Sequence, residues 1–204
     1  MIAWHDLQIK RSRYALVSPP SIVSSSPYLH IIGPNGSGKT SLLLALAHLI
    51  AYRGTITWQQ VTIRDHCLWW FSRMGWCPDT PRLPAHLTVA GAIQRALALK
   101  TNRAAQSGPL TPTHDLVIQL GLHRVWDAPI PSLSLGYQKR VGLAMALGHH
   151  PDCVLLDEPT LGLDDGTRSV VREVCLAYSH IQWVVATHRE ADFPLPSDVV
   201  ALSV

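Results

Sequence analysis

The sequence has no long apolar run, no block of like charges and no paired-cysteine pattern. Its longest apolar stretch, Leu42 to Ala51, contains His48 and is about half of the roughly 20 residues that a membrane span needs. The first residues, Met1-Ile2-Ala3-Trp4-His5-Asp6, lack a basic region followed by an apolar stretch, so no signal peptide is expected. The expectation is a cytosolic chain whose membrane role, if any, comes through a partner. Only 15% of residues are charged, and the formal net charge of +3 is too mild to point to a nucleic-acid surface. The four cysteines (Cys67, Cys77, Cys153, Cys175) show no C-x-x-C spacing, and Cys153 sits inside an apolar run. Buried, reduced thiols are the default reading, with a metal site from Cys67, Cys77 and His66 or His86 as the alternative. Internal repeats and low-complexity segments are also absent.

What remains is a chain of 204 residues, 47% of them hydrophobic, which is enough to bury one sizeable core. Its organising stretch is Gly33-Pro34-Asn35-Gly36-Ser37-Gly38-Lys39-Thr40-Ser41, set between apolar runs at Tyr28–Ile32 and Leu42–Ile50. That reads as strand, glycine-rich loop and helix, the context required by the phosphate-binding pattern G-x-x-x-x-G-K-[ST]. Glycines let the backbone wrap an anion, and the following helix presents its free amides and positive dipole end to it. Lys39 can reach phosphate oxygens as a point charge, and Thr40 can offer a hydroxyl to Mg²⁺. A nucleoside triphosphate is the ligand this pattern predicts.

Ahead of the loop, Ile2, Trp4, Leu7 and Ile9 mark an opening strand without strict alternation, and turn clusters bracket Ile22-Val23. Beyond it, a helix is expected over Ser41–Tyr52, ended near Gly54 as a left-handed C-cap. Thr55–Trp58 and Val61–Ile63 read as a hairpin through Gln59-Gln60. Met74–Cys77 reads as a strand, Thr88 to about Lys100 as a helix, Thr101–Pro112 as a loop, and His114–Leu120 as a helix ending at Gly121. A helix opens at Ser132–Arg140 and runs to about Leu147; Cys153–Leu156 is an apolar strand, Thr167–Tyr178 a helix, and Ile181–Ala186 a last core strand. The fold class is α/β with a mostly parallel sheet, preceded by an N-terminal antiparallel β subdomain. All 204 residues are expected to form one domain, with 77–150 as a helical subdomain within it.

Two further strand ends carry chemistry, where parallel sheets gather their ligands. Asp157, closing the strand at 153–156, can hold Mg²⁺, and Glu158 is placed to orient or deprotonate a water. His188 follows the last core strand and can meet a γ-phosphate or the attacking water.

These residues together resemble the ATP-binding-cassette (ABC) ATPases. Gly33 to Thr40 is similar to the Walker A loop, and Cys153 to Glu158 to the Walker B strand with its catalytic glutamate. Leu133-Ser134-Leu135-Gly136-Tyr137-Gln138-Lys139-Arg140 resembles the signature motif LSGGQ, Leu161-Gly162-Leu163-Asp164 the D-loop, and His188 the switch histidine. The resemblance implies a P-loop ATPase working as a head-to-tail dimer, with two ATP molecules and their Mg²⁺ ions at the interface. Lys39, Thr40 and Ser41 would hold phosphates and Mg²⁺ in one subunit, while Ser134 and Gly136 of the other cap the γ-phosphate. Glu158 would act as base, His188 would contact the γ-phosphate and Asp164 would couple the two sites. Asp79 stands at the Q-loop position, where it can meet Mg²⁺ or its water. Leu135 and Tyr137 depart from the signature pattern. For the aromatic group that stacks on adenine, Tyr14 is the candidate, with Arg11 in a second register.

The resemblance further implies an ATPase subunit of a transporter with separate transmembrane permease subunits, peripheral on the cytoplasmic face of the membrane and without a nucleic-acid partner. A homodimer of the cassette is expected, with a heterodimer as the alternative, and no regulatory C-terminal domain is expected after His188. Leu68, Trp69, Trp70, Trp76 and the Pro81–Leu87 segment are where a permease helix would dock, unless the tryptophans are core. A multidrug- or lipid-type exporter and the haem-exporter ATPase of cytochrome c maturation are the two cargo readings. A soluble, non-transport ABC ATPase and a regulator that no longer hydrolyses are the rivals.

Overall fold

The computed structural model describes residues 1–10, 16–100, 110–188 and 197–202. The N-terminal strands β1 (Ile2–Lys10), β2 (Leu16–Val17), β3 (Ile22–Ser24), β5 (Tyr52–Trp58) and β6 (Val61–Thr62) form an antiparallel sheet in which β1 pairs with β2, β3 and β5. The broken alternation of β1 has a local cause. Its register against β5 shifts between His5 and Gln8, and Asp6 takes a φ of 49°. This bulge changes the phase, so Ile2 and Trp4 before it and Leu7 and Ile9 after it all face one core. Across the pair, Gly54 lies at φ 89°, and a Cβ there would come within 2.4 Å of the Asp6 carbonyl.

That geometry corrects two expectations. The helix after the glycine-rich loop, α1 (Lys39–Leu46), is shorter than the predicted Ser41–Tyr52, because His48 turns left-handed at φ 56° and Tyr52 is drawn into β5 opposite Ile9. Gly54 is thus no helix cap but the strand residue that accommodates the bulge. The hairpin β5–β6 forms as expected, with Gln59 and Gln60 both at positive φ and Trp58 opposite Val61.

The second sheet is parallel, in the order β10 (Asp198–Ala201), β4 (Tyr28–Ile32), β9 (Gln182–Thr187), β8 (Cys153–Asp157), β7 (Met74–Cys77). Every residue of β8 and β9 is buried. Cys153, Leu155, Val184 and Ala186 join α1 and the antiparallel sheet in one core, while Val154, Leu156, Trp183 and Val185 join the helices in the other. Burial on both faces is why these strands read as unbroken apolar runs.

The helices of the second core are α3 (Val89–Ala98), α4 (Asp115–Gln119), α5 (Leu135–Leu147) and α6 (Asp165–Ala177). Thr88 caps α3 by accepting from the Gly91 amide at 3.2 Å, and Gly121 follows α4 at φ 66°. A helix without an expected counterpart, α2 (Cys67–Arg73), precedes β7. Its Trp70 is core, donating through Nε1 to the Leu46 carbonyl at 2.9 Å, whereas Leu68 is 81% exposed. Among the described residues no helix is long and apolar enough to cross a membrane. Most of the predicted 101–112 loop lies outside the described residues.

Candidate active site

The glycine-rich loop joins β4 to α1, and its shape depends on two left-handed glycines. Gly36 (φ 90°) has open space where a side chain would go, so its requirement is conformational. Gly38 (φ 99°) caps α1 and turns the first amides of the helix toward the loop. The Lys39 ammonium lies 2.8 Å from the Gly33 carbonyl and 3.4 Å from Glu158 Oε1. Ser37 and Ser41 are buried, and the Ser37 hydroxyl has no hydrogen-bond partner.

The ends of β8 and β9 bring the acid–base groups to this loop. The Thr40 hydroxyl donates to Asp157 Oδ2 at 2.8 Å, while the buried Asp157 Oδ1 has no hydrogen-bond partner. Burial, and then the carboxylates of Glu158 and Asp79, hold the Asp157 carboxyl above the usual aspartate range, against the lowering effect of Thr40 and Lys39. Glu158 takes a φ of 44°, unusual for a residue with a side chain, and His188 Nε2 lies 3.1 Å from its Oε1. The other ring nitrogen of His188 is 3.4 Å from Lys39 Nζ. Pro34, Asn35, Gly36, Gly38, Lys39, Thr40, Ser41, Asp79, Asp157, Glu158 and His188 all line one cavity of about 230 Å³. A larger cavity of about 300 Å³ lies at the opposite ends of the strands, lined by Pro27, Asp152 and Gln182 among others, but Asp152 is paired with Arg73 and the Gln182 amide donates to Ser26. The chemistry gathers at the carboxyl ends, as parallel sheets dictate.

An uncommitted carboxylate oxygen beside a hydroxyl suits a hard divalent cation, which takes oxygen ligands. No cluster of three His, Cys, Asp or Glu side chains able to hold a metal occurs among the described residues, so Cys67 and Cys77 form no such site. A cation at Thr40 and Asp157 would complete its shell with water and phosphate, the habit of Mg²⁺.

Ser134, Gly136 and Asp164 are not brought to this cavity. Ser134 is exposed and caps α5, accepting from the Tyr137 amide at 3.4 Å. Asp164 caps α6 through the Thr167 amide at 2.9 Å and hydroxyl at 3.0 Å, and that amide holds its carboxyl below the usual range. Tyr14 and Arg11 lie outside the described residues. One buried charged group beside the site escaped the sequence reading. Lys139 of α5 is buried, and its ammonium bonds Asp79 Oδ1 at 3.0 Å and the carbonyls of Glu158 and Leu161 at 2.8 and 2.9 Å.

The sequence profile of the ABC transporter family matches residues 22–161. This chain belongs to the ABC transporter family. It is an ATP-binding cassette, an ATPase subunit of the transporter class. Among its relatives, the lipoprotein-releasing system ATP-binding protein LolD of Legionella pneumophila is 29% identical over 175 residues, spanning 81% of this chain and 76% of the relative. The cytochrome c biogenesis ATP-binding export protein CcmA of Methylococcus capsulatus is 31% identical over 153 residues, 74% of this chain and 72% of the relative. Against some relatives the match spans about half of their length, 48% for an Fe(3+) ions import ATP-binding protein of Pectobacterium atrosepticum. The dimeric cassette MJ0796 superposes with a TM-score of 0.82 at 20% identity, over 100% of this chain and 94% of the other, and so shares the fold.

Within this ABC cassette the signature departures have visible partners. Tyr137 lies under the Arg140 guanidinium, 3.9 Å from ring centroid to Cζ, and Arg140 in turn donates to the Leu120 carbonyl at 3.1 Å. Leu135 projects as an exposed apolar residue. At Gly136 a Cβ would sit 3.3 Å from the Thr167 hydroxyl, so α5 and α6 approach closely beside the signature turn.

Proposed function

We propose that two copies of this cassette close head to tail on two ATP molecules, and that this closure drives transport through separate membrane-spanning subunits. The observation that carries the reading is the division of its groups. Lys39, Thr40, Asp157, Glu158 and His188 meet in one cavity, while the exposed Ser134 and the half-buried Gly136 stand elsewhere on the same chain. A helix N-terminus with a serine cap is a ready anion site, so the signature turn of one copy suits the γ-phosphate held by the other. Ser37, Lys39, Thr40 and Ser41 hold the phosphates. Thr40 and Asp157 would hold Mg²⁺, which when bound would supply charge neutralisation to the phosphate oxygens. Glu158 orients and deprotonates the attacking water, with His188 holding the carboxylate, and the exclusion of water on closure strengthens each contact.

The helices α3, α4 and α5 act as the helical subdomain. A homodimer is the assembly the single set of motifs supports. A membrane-spanning partner would dock beside the exposed Leu68, next to Trp69 and Trp76, which are half-buried against the core that holds Trp70. Placement on the cytoplasmic face follows from the partner rather than from this chain. An export role draws on relatives named for lipoprotein release and for cytochrome c biogenesis export.

Glu158→Gln tests the reading. Turnover should fall by about 10²-fold or more while ATP traps a dimer visible by size-exclusion chromatography with light scattering. Unchanged turnover, or a monomer at saturating ATP, would remove the proposal.

A further inference from the structure

A buried cation is costly unless it is paired and its donors are all bonded. Lys139, 4% exposed, meets both conditions. Its three N–H donors match three acceptors: Asp79 Oδ1 from the segment after β7, and the carbonyls of Glu158 and Leu161 from the loop after β8. The lysine itself sits on α5, just over one helical turn beyond Ser134. It shares a face of that helix with Gly142 and Ala146, where packing is tightest. A Cβ at Gly142 would press on Pro81 at 2.8 Å, and one at Gly75 of β7 would press on the Ala146 carbonyl at 2.3 Å. The ammonium is therefore carried by an element wedged against the sheet.

The group it grips is the strained one. At φ 44° Glu158 has a conformation that residues with side chains keep only where their surroundings impose it. The Glu158 amide donates to the Ala186 carbonyl at 2.9 Å, and its own carbonyl accepts from Lys139 at 2.8 Å and, at the longer distance of 3.2 Å, from the Leu161 amide. These bonds hold the peptide groups on either side of the turned Cα, and Lys139, which also bonds the Leu161 carbonyl, ties the turn to α5. The side chain then points to Lys39 and His188.

We propose that Lys139, oriented and neutralised by Asp79, is a positioning residue for hydrolysis. It locks the backbone of Glu158 so that the carboxylate faces the phosphate loop, and Asp79 serves this ion pair rather than the cation. The inference rests on Glu158 being the base.

The test uses the full chain with Lys139→Met, which keeps the aliphatic stem, and Asp79→Asn, whose amide oxygen can still accept from Lys139 while the neutralising charge is lost. Expected are a kcat lowered by about tenfold or more for Lys139→Met and by about three- to tenfold for Asp79→Asn, with the KM for ATP and the calorimetric Kd for ADP within about twofold of the parent. The double variant should be no worse than Lys139→Met alone, because the two groups act as one unit. The Mg²⁺ concentration that half-saturates nucleotide binding should be unchanged in Asp79→Asn.

A shift of about fivefold or more in that concentration would assign Asp79 to the cation and overturn the proposal. So would kcat values within about twofold of the parent, or losses that vanish well below the melting temperature. If Lys139→Met fails to fold, Asp79→Asn and Lys139→Arg carry the same comparison. Glu158→Gln run in parallel separates the two readings. Retained turnover there defeats the base assignment, whereas lost turnover with an unaffected Lys139→Met defeats this inference alone.

Discussion

Asp157 shows how a single residue can weaken the fold it completes. Its carboxyl is raised chiefly by burial, then by neighbouring carboxylates, so the folded state favours the protonated form. A group raised in this way stabilises fully below the ordinary aspartate range and loses that contribution as pH climbs through the raised value. At neutral pH the charged carboxylate is therefore a net burden on the nucleotide-free protein. Asp157→Asn should raise the melting temperature at pH 7 by about 1–3 °C, allowing for water at the partly open site, and the gain should shrink as pH falls toward the raised value. Scanning calorimetry over a pH series descending from neutral reads both. The cysteines show the quieter side of burial: Cys77 is pushed up to about 12, and Cys153 and Cys175 are pushed up too, which makes all three inert packing groups.

At the scale of elements, two left-handed glycines separate conformation from space. Gly36 has nothing within 4 Å of the place a methyl group would occupy, whereas at Gly54 that place lies 2.4 Å from the Asp6 carbonyl. Gly36→Ala should cost about 1–2 kcal/mol of stability, the backbone term alone. Gly54→Ala adds a clash and should cost about 3 kcal/mol or more, since the β1 bulge cannot move without uncovering Leu7 and Ile9. Chemical denaturation of the two variants measures the difference. The same elements mark what the sequence made legible. The loop, the strand ends and the helix starting at Thr88 were readable because their signals are local: glycine, apolar residues at helical spacing, an unbroken buried strand. The end of α1 was not, because His48 and Tyr52 obey the pairing of β5 with β1, a contact between segments far apart in the chain. Lys139 was illegible for the same reason. A lysine reads as solvated, and only the folding of Asp79 and Leu161 around it makes it internal.

For the whole molecule, the proposed dimer turns on the separation of the exposed Ser134 turn from the phosphate-loop cavity on the surface of one chain. Ser134 is exposed and caps its own helix, with no part in the cavity that Lys39 lines. Ser134→Arg in the Glu158→Gln background should leave ADP affinity of the isolated chain within about twofold, yet abolish the ATP-trapped dimer. Light scattering and calorimetry on one preparation check both halves of that statement. A dimer that survives would place the contact elsewhere.

The enclosure of the parallel sheet has a practical outcome for any genetic survey of this chain. All positions of β8 and β9 are shut away from solvent, and Asp157 alone among them lines the phosphate-loop cavity. Loss-of-function alleles there will mostly record failed accumulation, not damaged catalysis, so cellular abundance has to be scored beside transport before any of them is assigned to mechanism.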